Sequence, residues 1–280
     1  MRETSNPVFR SLPKQQGGYA QFGSGVAGAQ QVAYQAEPYT TQYPSQTGVS
    51  RPMTIDDVVT KTGITLGVLS VVAVISYFLV SANVALAMPC TLVGALGGLA
   101  LVLVATFGRK QDNPAIVLSY AALEGLFLGA ISFVLANLVV SGANAGSLIG
   151  QAILGTIGVF FGMLVVYKTG AIRVTPKFTR MLVAGMVGVL VLMLGNFVLS
   201  MFGTHDGGPL RNGGTLAIVF SLVCIALAAF SFLLDFDAAD QMIRAGAPEK
   251  AAWGVALGLT VTLVWLYLEI LRLLSYFQQR

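Results

Sequence analysis

The chain has 280 residues, of which 55% are hydrophobic and only 10% are charged, and its formal net charge is +4. A soluble domain carries about 25% charged residues, because charges must cover its outer surface. This composition excludes an ordinary soluble protein and indicates a surface that is covered by lipid. The cations form no basic patch interleaved with aromatic residues. We therefore expect the lipid bilayer as the main partner and no nucleic acid.

The first 57 residues differ in character from the rest of the chain. They are rich in Gln, Gly and Tyr, and they lack the apolar core of a signal peptide. Such a composition buries too little apolar surface to offset the entropy cost of ordering the chain. We predict a disordered cytoplasmic tail over residues 1–57 and a membrane domain over residues 58–280. The tail is expected to be a solvated tether, although its tyrosines could bind a partner.

Seven stretches after Asp57 are apolar over the length of about 20 residues that a helix needs to cross the bilayer core. We therefore predict an all-α polytopic membrane protein with about seven transmembrane helices. The predicted spans are 58–80, 86–107, 115–137, 148–167, 181–202, 215–234 and 251–277.

The cations between these spans predict the orientation of the chain. Cytoplasmic connections of membrane proteins carry an excess of Lys and Arg. With the N-terminus inside, the outer connections contain a single cation, Arg211. We therefore predict a cytoplasmic N-terminus and, with an odd number of helices, an outer C-terminus. The cations predicted to lie at the inner side are Arg51, Lys61, Arg109, Lys110, Lys168, Arg173, Lys177, Arg180, Arg244 and Lys250.

Glycines spaced four residues apart recur in the predicted spans. Such a pair lies on one face of a helix and lets another backbone approach closely. Several pairs in one polytopic chain predict tight packing between its own helices. The pairs are Gly94 and Gly98, Gly125 and Gly129, Gly158 and Gly162, and Gly254 and Gly258.

Ionisable side chains within the spans are candidates for function, because they are costly to bury in a membrane. Glu124 lies near the middle of the third span, and Glu269 lies deep in the seventh. Glu124 could line or brace a path, or could be a protonated acid that hydrogen-bonds across helices. Arg272 is three residues after Glu269 and on the same helix face, so an ion pair is expected. Glu269 could have a functional role together with the carboxylates of the sixth helix. The alternative is that the pair merely neutralises itself, with Arg272 extending to the outer interface.

Asp235 and Asp237 lie at the end of the sixth apolar run, next to the seventh helix in sequence. Carboxyl groups that meet in a low-dielectric place tend to share a proton, and once deprotonated they attract a hard cation such as calcium. Our hypothesis is that Asp235 or Asp237 pairs with Glu269 and gates a cation path. The alternative is that both aspartates form a solvated acidic helix end.

Motifs of enzymes are absent from the sequence. It has no GxSxG, HExxH or P-loop motif. The single histidine, His205, cannot build a His-rich metal site, and Cys90 and Cys224 lie far apart in apolar stretches. We expect no enzymatic activity and no cofactor, with calcium as a permeant ion rather than a bound metal.

Three segments of the predicted spans have distinctive sequences: Leu-Glu-Gly-Leu-Phe-Leu-Gly from Leu123, Leu-Asp-Phe-Asp from Leu234, and Leu-Tyr-Leu-Glu-Ile-Leu-Arg-Leu-Leu from Leu266. Together they resemble the Bax inhibitor-1 family, also called the transmembrane Bax-inhibitor-motif family. The resemblance covers residues 58–280 and leaves the tail outside. Helices rich in Ala, Gly and Val suggest a bacterial member, in the cell membrane of a bacterium.

This resemblance implies a fold with six helices around a central seventh, and a pH-sensitive calcium leak in some members. It also implies a proton-sharing pair between Asp235 or Asp237 and Glu269. In animals and plants the family is tied to suppression of cell death, whereas a bacterial member is linked to a membrane-bound quality-control protease. A non-conducting regulator of other membrane proteins is therefore the alternative function. Glu269 and Arg272 depart from the family pattern, which usually has Asp and Asn at these positions.

Overall fold

The computed structural model describes residues 51–140, 145–202 and 208–278. Most of the predicted disordered tail lies outside these residues, as do His205 and the C-terminal Arg280. Seven long helices form in the described residues and each is apolar enough to cross a membrane, which confirms the predicted fold class. The helices are α1 (Ile55–Ala82), α2 (Ala87–Phe107), α3 (Pro114–Phe133), α4 (Ala145–Thr169), α5 (Pro176–Met201), α6 (Thr215–Arg244) and α7 (Ala252–Gln278).

Successive spans run in opposite directions, so the connections alternate between two ends of the helix bundle. We call one end the Arg51 end, where α1 begins and where the α6–α7 connection meets it: the Met53 amide donates to the Ala247 carbonyl at 2.8 Å. We call the other the Arg211 end, where the Tyr276 hydroxyl near the end of α7 donates to the Arg211 carbonyl at 3.3 Å.

Helix α7 lies in the centre of the bundle. It packs against α1, α3, α4 and α6, and Thr260, Leu266 and Leu271 along its length are fully buried. The predicted central position of the seventh helix is therefore confirmed. By contrast, α5 packs mainly against α6, and large side chains such as Phe197 and Val191 point outward.

Polar caps set the first residue of several helices. Thr54 and Asp57 form a reciprocal capping box at the start of α1. Asn113 caps α3 and Thr175 caps α5, each followed by a proline at the first helical position, where no amide hydrogen is needed.

Helix α6 is longer than the sequence predicts. The predicted span ends at residue 234, whereas the helix continues to Arg244, so Asp235 and Asp237 lie within it rather than at its end. The reason is packing: Phe236 and Ala239, beyond the apolar run, are buried in a cluster with residues of α7. A hydropathy pattern detects the part of a helix in lipid but does not detect its extension into the polar region.

The packed domain also begins ahead of the predicted limit at residue 58. Met53 is buried in the same cluster as Phe232 and Phe236 of α6. The Glu249 amide donates to the Arg51 carbonyl at 3.0 Å, so the backbone before α1 is paired with the α6–α7 connection. We call residues Arg51, Pro52 and Met53 the amino-terminal strap.

Charged side chains add to the attachment of this strap. Arg51 contacts the Asp57 carboxylate at 2.6 Å and the Glu249 carboxylate at 3.3 Å. Lys61 donates to the Glu249 carbonyl at 2.7 Å and lies within 3.3 Å of its carboxylate. Glu249 therefore holds both the strap and α1 against the start of α7.

Replacing Glu249 with glutamine is expected to loosen the amino-terminal strap without unfolding the bundle. The loss of two ion pairs should raise local opening, and hydrogen exchange at the Met53 and Glu249 amides should accelerate several-fold. Asp240→Asn is the matched control, because Asp240 pairs with the exposed Arg244 at the same end. Equal exchange at both amides in wild type and Glu249→Gln would show that the Glu249 ion pairs do not hold the strap.

The glycine pairs do not all have the role that the sequence predicts. A β-carbon at Gly94 would lie 2.6 Å from the Phe127 amide nitrogen, and one at Gly125 would lie 2.5 Å from the Leu69 carbonyl oxygen. These pairs, together with Gly98 and Gly129, pack α2 and α1 against α3.

The pair in α4 contradicts the prediction. A β-carbon at Gly158 or Gly162 would have no neighbour within 4 Å, so this pair lies on an open face of the bundle. The four-residue spacing places two glycines on one helix face, but it does not determine whether that face is directed inward.

Candidate functional site

The candidate site lies between α6 and α7. Gly258, Thr262 and Glu269 recur at helical spacing on α7, so they lie along one side of that helix. Asp235 of α6 contacts the first two of these positions, and Ser221 and Cys224 of α6 lie beside Glu269. The two helices therefore enclose polar groups at two levels, one around Asp235 and one around Glu269.

Glu269 is the charged residue at the centre of the site, and it is only 1% exposed. Its Oε1 atom accepts a hydrogen bond from Arg272 at 2.8 Å and a longer one from Arg211 at 3.5 Å. Its Oε2 atom has no hydrogen-bond partner in the described part of the chain, and neither has Nη1 of Arg211. One carboxylate is thus bound by two guanidinium groups, while one oxygen of the carboxylate and one nitrogen of Arg211 make no hydrogen bond within the described residues.

Arg211 is a site residue that sequence reasoning did not identify. It precedes α6, yet its guanidinium extends inward between helices, 3.6 Å from the Met193 sulfur and over the Phe220 ring at 5.9 Å. Its side chain is only 21% exposed. The sequence did contain one indication of its role: Arg211 is the one cation that the predicted topology places in the outer connections.

Asp235 lies toward the other end of the same helix pair. Its Oδ2 atom accepts a hydrogen bond from Thr262 of α7 at 2.7 Å. A cavity of about 230 Å³ adjoins it, lined also by Gln111 and Asp112 of the α2–α3 connection and by Gly254 of α7. Two carboxylates therefore line a cavity near the Arg51 end.

The structure does not bring the predicted carboxylate pair together. Asp235 contacts Thr262, which precedes Glu269 by seven residues, or about 10 Å along a helix that rises about 1.5 Å per residue. Leu266 lies between them on α7 and is fully buried, as is Phe232 on α6. In this conformation Glu269 is paired with arginines, and an apolar layer separates it from Asp235.

Asp237 takes no part in the contact between α6 and α7 that Asp235 makes. Its carboxylate accepts a hydrogen bond from Gln241 at 2.6 Å, one turn further along α6. The two aspartates differ by two positions, so they point to different sides of one helix. Between the two candidates, Asp235 is the one that contacts α7.

Glu124 lies at a different interface, where α3 packs against α2. A β-carbon at Gly98 would be 2.5 Å from its Oε2 atom, so the side chain occupies the space that this glycine leaves. It is not among the residues that line the Asp235 cavity. Its position suits bracing of two helices better than lining a path between α6 and α7.

The described residues contain no group of three or more His, Cys, Asp or Glu side chains that could hold a metal ion. Asp112 and Asp235 line the same cavity, but within the described residues they are two carboxylates without a third ligand of this kind. Cys90 and Cys224 are free thiols, the first partly buried and the second buried. A carboxylate of this site can attract a cation, but the described residues do not provide the set of ligands that a tightly bound metal ion needs.

A family model described as Bax inhibitor 1 like matches residues 6–279. The chain belongs to the Bax inhibitor 1 like family. This match extends over most of the amino-terminal segment, which corrects the expectation that the family resemblance begins at residue 58. No curated protein matches the chain. As a Bax inhibitor 1 like protein with seven apolar helices, it is a multi-pass membrane protein.

Proposed function

We propose that this protein is a pH-sensitive cation leak channel, with calcium as the permeant ion. The observation that carries the proposal is the buried Glu269 carboxylate, which is bound by two guanidinium groups. It lies on the same side of α7 as Gly258, which lines the Asp235 cavity. A carboxylate inside a membrane bundle is costly and is a functional candidate by default. The arrangement has the features of a closed path with an acidic site on each side of an apolar layer.

The path would begin at the Arg51 end. Asp112 and Asp235 line the cavity there, and carboxylate oxygens are ligands that calcium prefers. The layer containing Leu266 then blocks the way to Glu269. Beyond it, Arg211 and Arg272 occupy the positions around Glu269 that a permeant cation would otherwise take. Opening therefore requires the apolar layer to part and at least one arginine to leave the carboxylate.

The pH dependence follows from the charge of the carboxyl groups. Protonation of Asp235 or Glu269 removes the negative charge that attracts a cation. Flux is therefore expected to fall as the pH decreases. In this conformation each carboxyl group would bind its own proton, because the two groups are not in contact. In the described residues, the ionisable groups that adjoin Glu269 are Arg211, Arg272, Tyr276 and the Cys224 thiol. Thr262 is the hydroxyl partner of Asp235.

We further propose that the protein lies in the plasma membrane of a bacterium with the Arg51 end in the cytoplasm. The distribution of cations supports this orientation, because most Lys and Arg residues of the connections lie at that end. The proposal needs no cofactor and no enzymatic activity.

Calcium flux into liposomes that contain the purified protein tests the channel. We expect wild-type flux to be several-fold faster near pH ~8 than near pH ~6, a range into which burial in a low-dielectric interior can bring the titration of a carboxyl group. Asp235→Asn and Glu269→Gln should each lose most of this difference. Asp237→Asn is the matched control, because Asp237 lies on the same helix but its carboxylate accepts a hydrogen bond from Gln241 of α6 rather than from α7, and it should behave as wild type.

The outcomes separate the proposal from its rivals. Flux no greater than in empty liposomes, from protein that elutes as a single folded species, would refute the channel. A pH dependence that survives in both Asp235→Asn and Glu269→Gln would refute the gate while leaving conduction. Loss of pH dependence in Asp237→Asn instead would move the sensor to the other face of α6.

The second candidate is a non-conducting regulator that binds other membrane proteins, such as a quality-control protease. It is favoured by the outward faces of α4 and α5, where Gly158 and Gly162 have no neighbour and α5 packs mainly against α6. A regulator should tolerate Glu269→Gln and Asp235→Asn. It should lose its function when bulky residues replace the two glycines, whereas a channel should keep its flux.

A further inference from the structure

A groove of about 500 Å³ lies between α1 and α4, two helices that hardly touch each other in the described part of the chain. Its floor is formed by α3 and the central helix α7, including Leu128, Val264 and Tyr267. The rims carry exposed apolar side chains, such as Val74 of α1 and Ile153 of α4. The volume is within the range of about 300–1,000 Å³ that is usual for ligand sites.

The polar groups at the floor leave the groove with little to offer a polar ligand. Tyr267 and Ser132 share a hydrogen bond at 2.8 Å, and the Thr156 hydroxyl donates to the Ala152 carbonyl at 2.8 Å. Because these hydroxyl groups already have partners, a polar molecule would gain few hydrogen bonds for the water or headgroup contacts that it loses. An acyl chain makes no hydrogen bonds outside the groove, so it loses none when it enters.

The location of the groove determines which molecules can reach it. Its rims belong to membrane spans, so it opens into the hydrocarbon layer. On α1 it extends from Leu66 to Phe78, or about 18 Å at about 1.5 Å per residue. Half of a hydrocarbon core that is about 30 Å thick is about 15 Å. The groove thus has the length of the acyl chains of one leaflet.

The end of the groove near the Arg211 end has groups suited to the membrane interface. The Tyr77 hydroxyl accepts a hydrogen bond from the Asn137 side chain at 3.2 Å. Tyrosines concentrate where the hydrocarbon meets the headgroups. A lipid with its headgroup near Tyr77 would extend its tail along the groove toward Leu66, over Tyr267 and Val264.

We propose that this groove is a binding site for one acyl chain of a bilayer phospholipid, in the leaflet at the Arg211 end. The bound chain fills the gap between α1 and α4 and contacts the central helix two residues from Glu269, at Tyr267. This site goes beyond the proposed channel and is independent of whether the protein conducts.

Photo-crosslinking in liposomes tests the site with phosphatidylcholine that carries a diazirine in one acyl chain. We expect the label on Tyr267 or Val264, because these two residues of the central helix line the groove. Ser70→Trp places a large side chain in the groove and should lower this labelling several-fold. Val71→Trp is the matched control on the same helix, since Val71 is 60% exposed and does not line the groove. Ile153→Trp blocks the groove from the α4 side and serves if Ser70→Trp fails to fold.

Three results would overturn the proposal. The first is labelling confined to residues outside the groove, such as the outward face of α5, with none on Val264 or Tyr267. The second is α7 labelling that persists unchanged in the folded Ser70→Trp and Ile153→Trp variants. The third is loss of α7 labelling on addition of excess oleic acid but not of excess unlabelled phosphatidylcholine, which would identify a free fatty acid as the occupant.

Discussion

Replacing Arg211 with glutamine is expected to raise cation flux through the protein about tenfold at neutral pH. In the structure the Arg211 guanidinium lies 3.5 Å from the Glu269 carboxylate and occupies one side of it. A hydrogen bond to a charged group contributes about 1.5–3 kcal/mol. The contact is long and Arg211 is partly exposed, so we take the low end, and about 1.4 kcal/mol corresponds to a factor of about ten.

The expected direction follows from what Arg211 does in the proposed closed state. Glutamine keeps hydrogen-bonding capacity but removes the positive charge, so it competes less with a cation for Glu269. Arg272 stays at 2.8 Å and keeps the carboxylate partly paired. The double variant Arg211→Gln with Glu269→Gln should lose the increase, because no carboxylate remains to be freed.

The measurement is calcium flux into liposomes with equal amounts of folded protein. Arg244→Gln is the matched control, because Arg244 also pairs with a carboxylate, that of Asp240 at 2.8 Å, but at the exposed surface of the Arg51 end. Its flux should equal that of wild type. An Arg211→Gln variant with unchanged flux would show that Arg211 is a structural partner of Glu269 and not part of a gate.

Replacing Gly129 with alanine is expected to lower the unfolding free energy by about 2 kcal/mol. A β-carbon there would overlap the Ala73 carbonyl oxygen and lie 2.6 Å from the Ser76 β-carbon. Overpacking usually costs about 1–3 kcal/mol, and here backbone must move, which places the cost at the upper end. The better helix propensity of alanine returns about 1 kcal/mol.

Thermal unfolding in detergent measures this loss, which should lower the midpoint by about 5 °C for a chain of this size. Gly158→Ala is the matched control, since a β-carbon there meets nothing within 4 Å. It should leave the midpoint unchanged or raise it slightly. Equal midpoints for Gly129→Ala and Gly158→Ala would mean that α1 and α3 can separate at little cost.

The membrane spans could be predicted from the sequence pattern, whereas the central position of the seventh helix was implied only by the family resemblance. Hydrophobic runs of bilayer length identify spans whatever their partners, because each span must satisfy its own backbone hydrogen bonds in lipid. The position of Glu269 deep within a span could also be predicted, and the structure shows that its side chain is buried. The Glu269–Arg272 contact follows from three-residue spacing on one helix, which is local geometry.

Only the tertiary structure decided which groups meet across helices. Arg211 and Glu269 are 58 residues apart, and no local pattern connects them. The separation of Asp235 from Glu269 depends on how far α6 slides along α7, and the helix periodicity leaves that offset undetermined. The same holds for the glycine pairs: spacing places Gly125 with Gly129 and Gly158 with Gly162 on single faces, but packing determined that the first pair is buried and the second faces outward. Local spacing specifies faces, and long-range packing specifies what each face contacts.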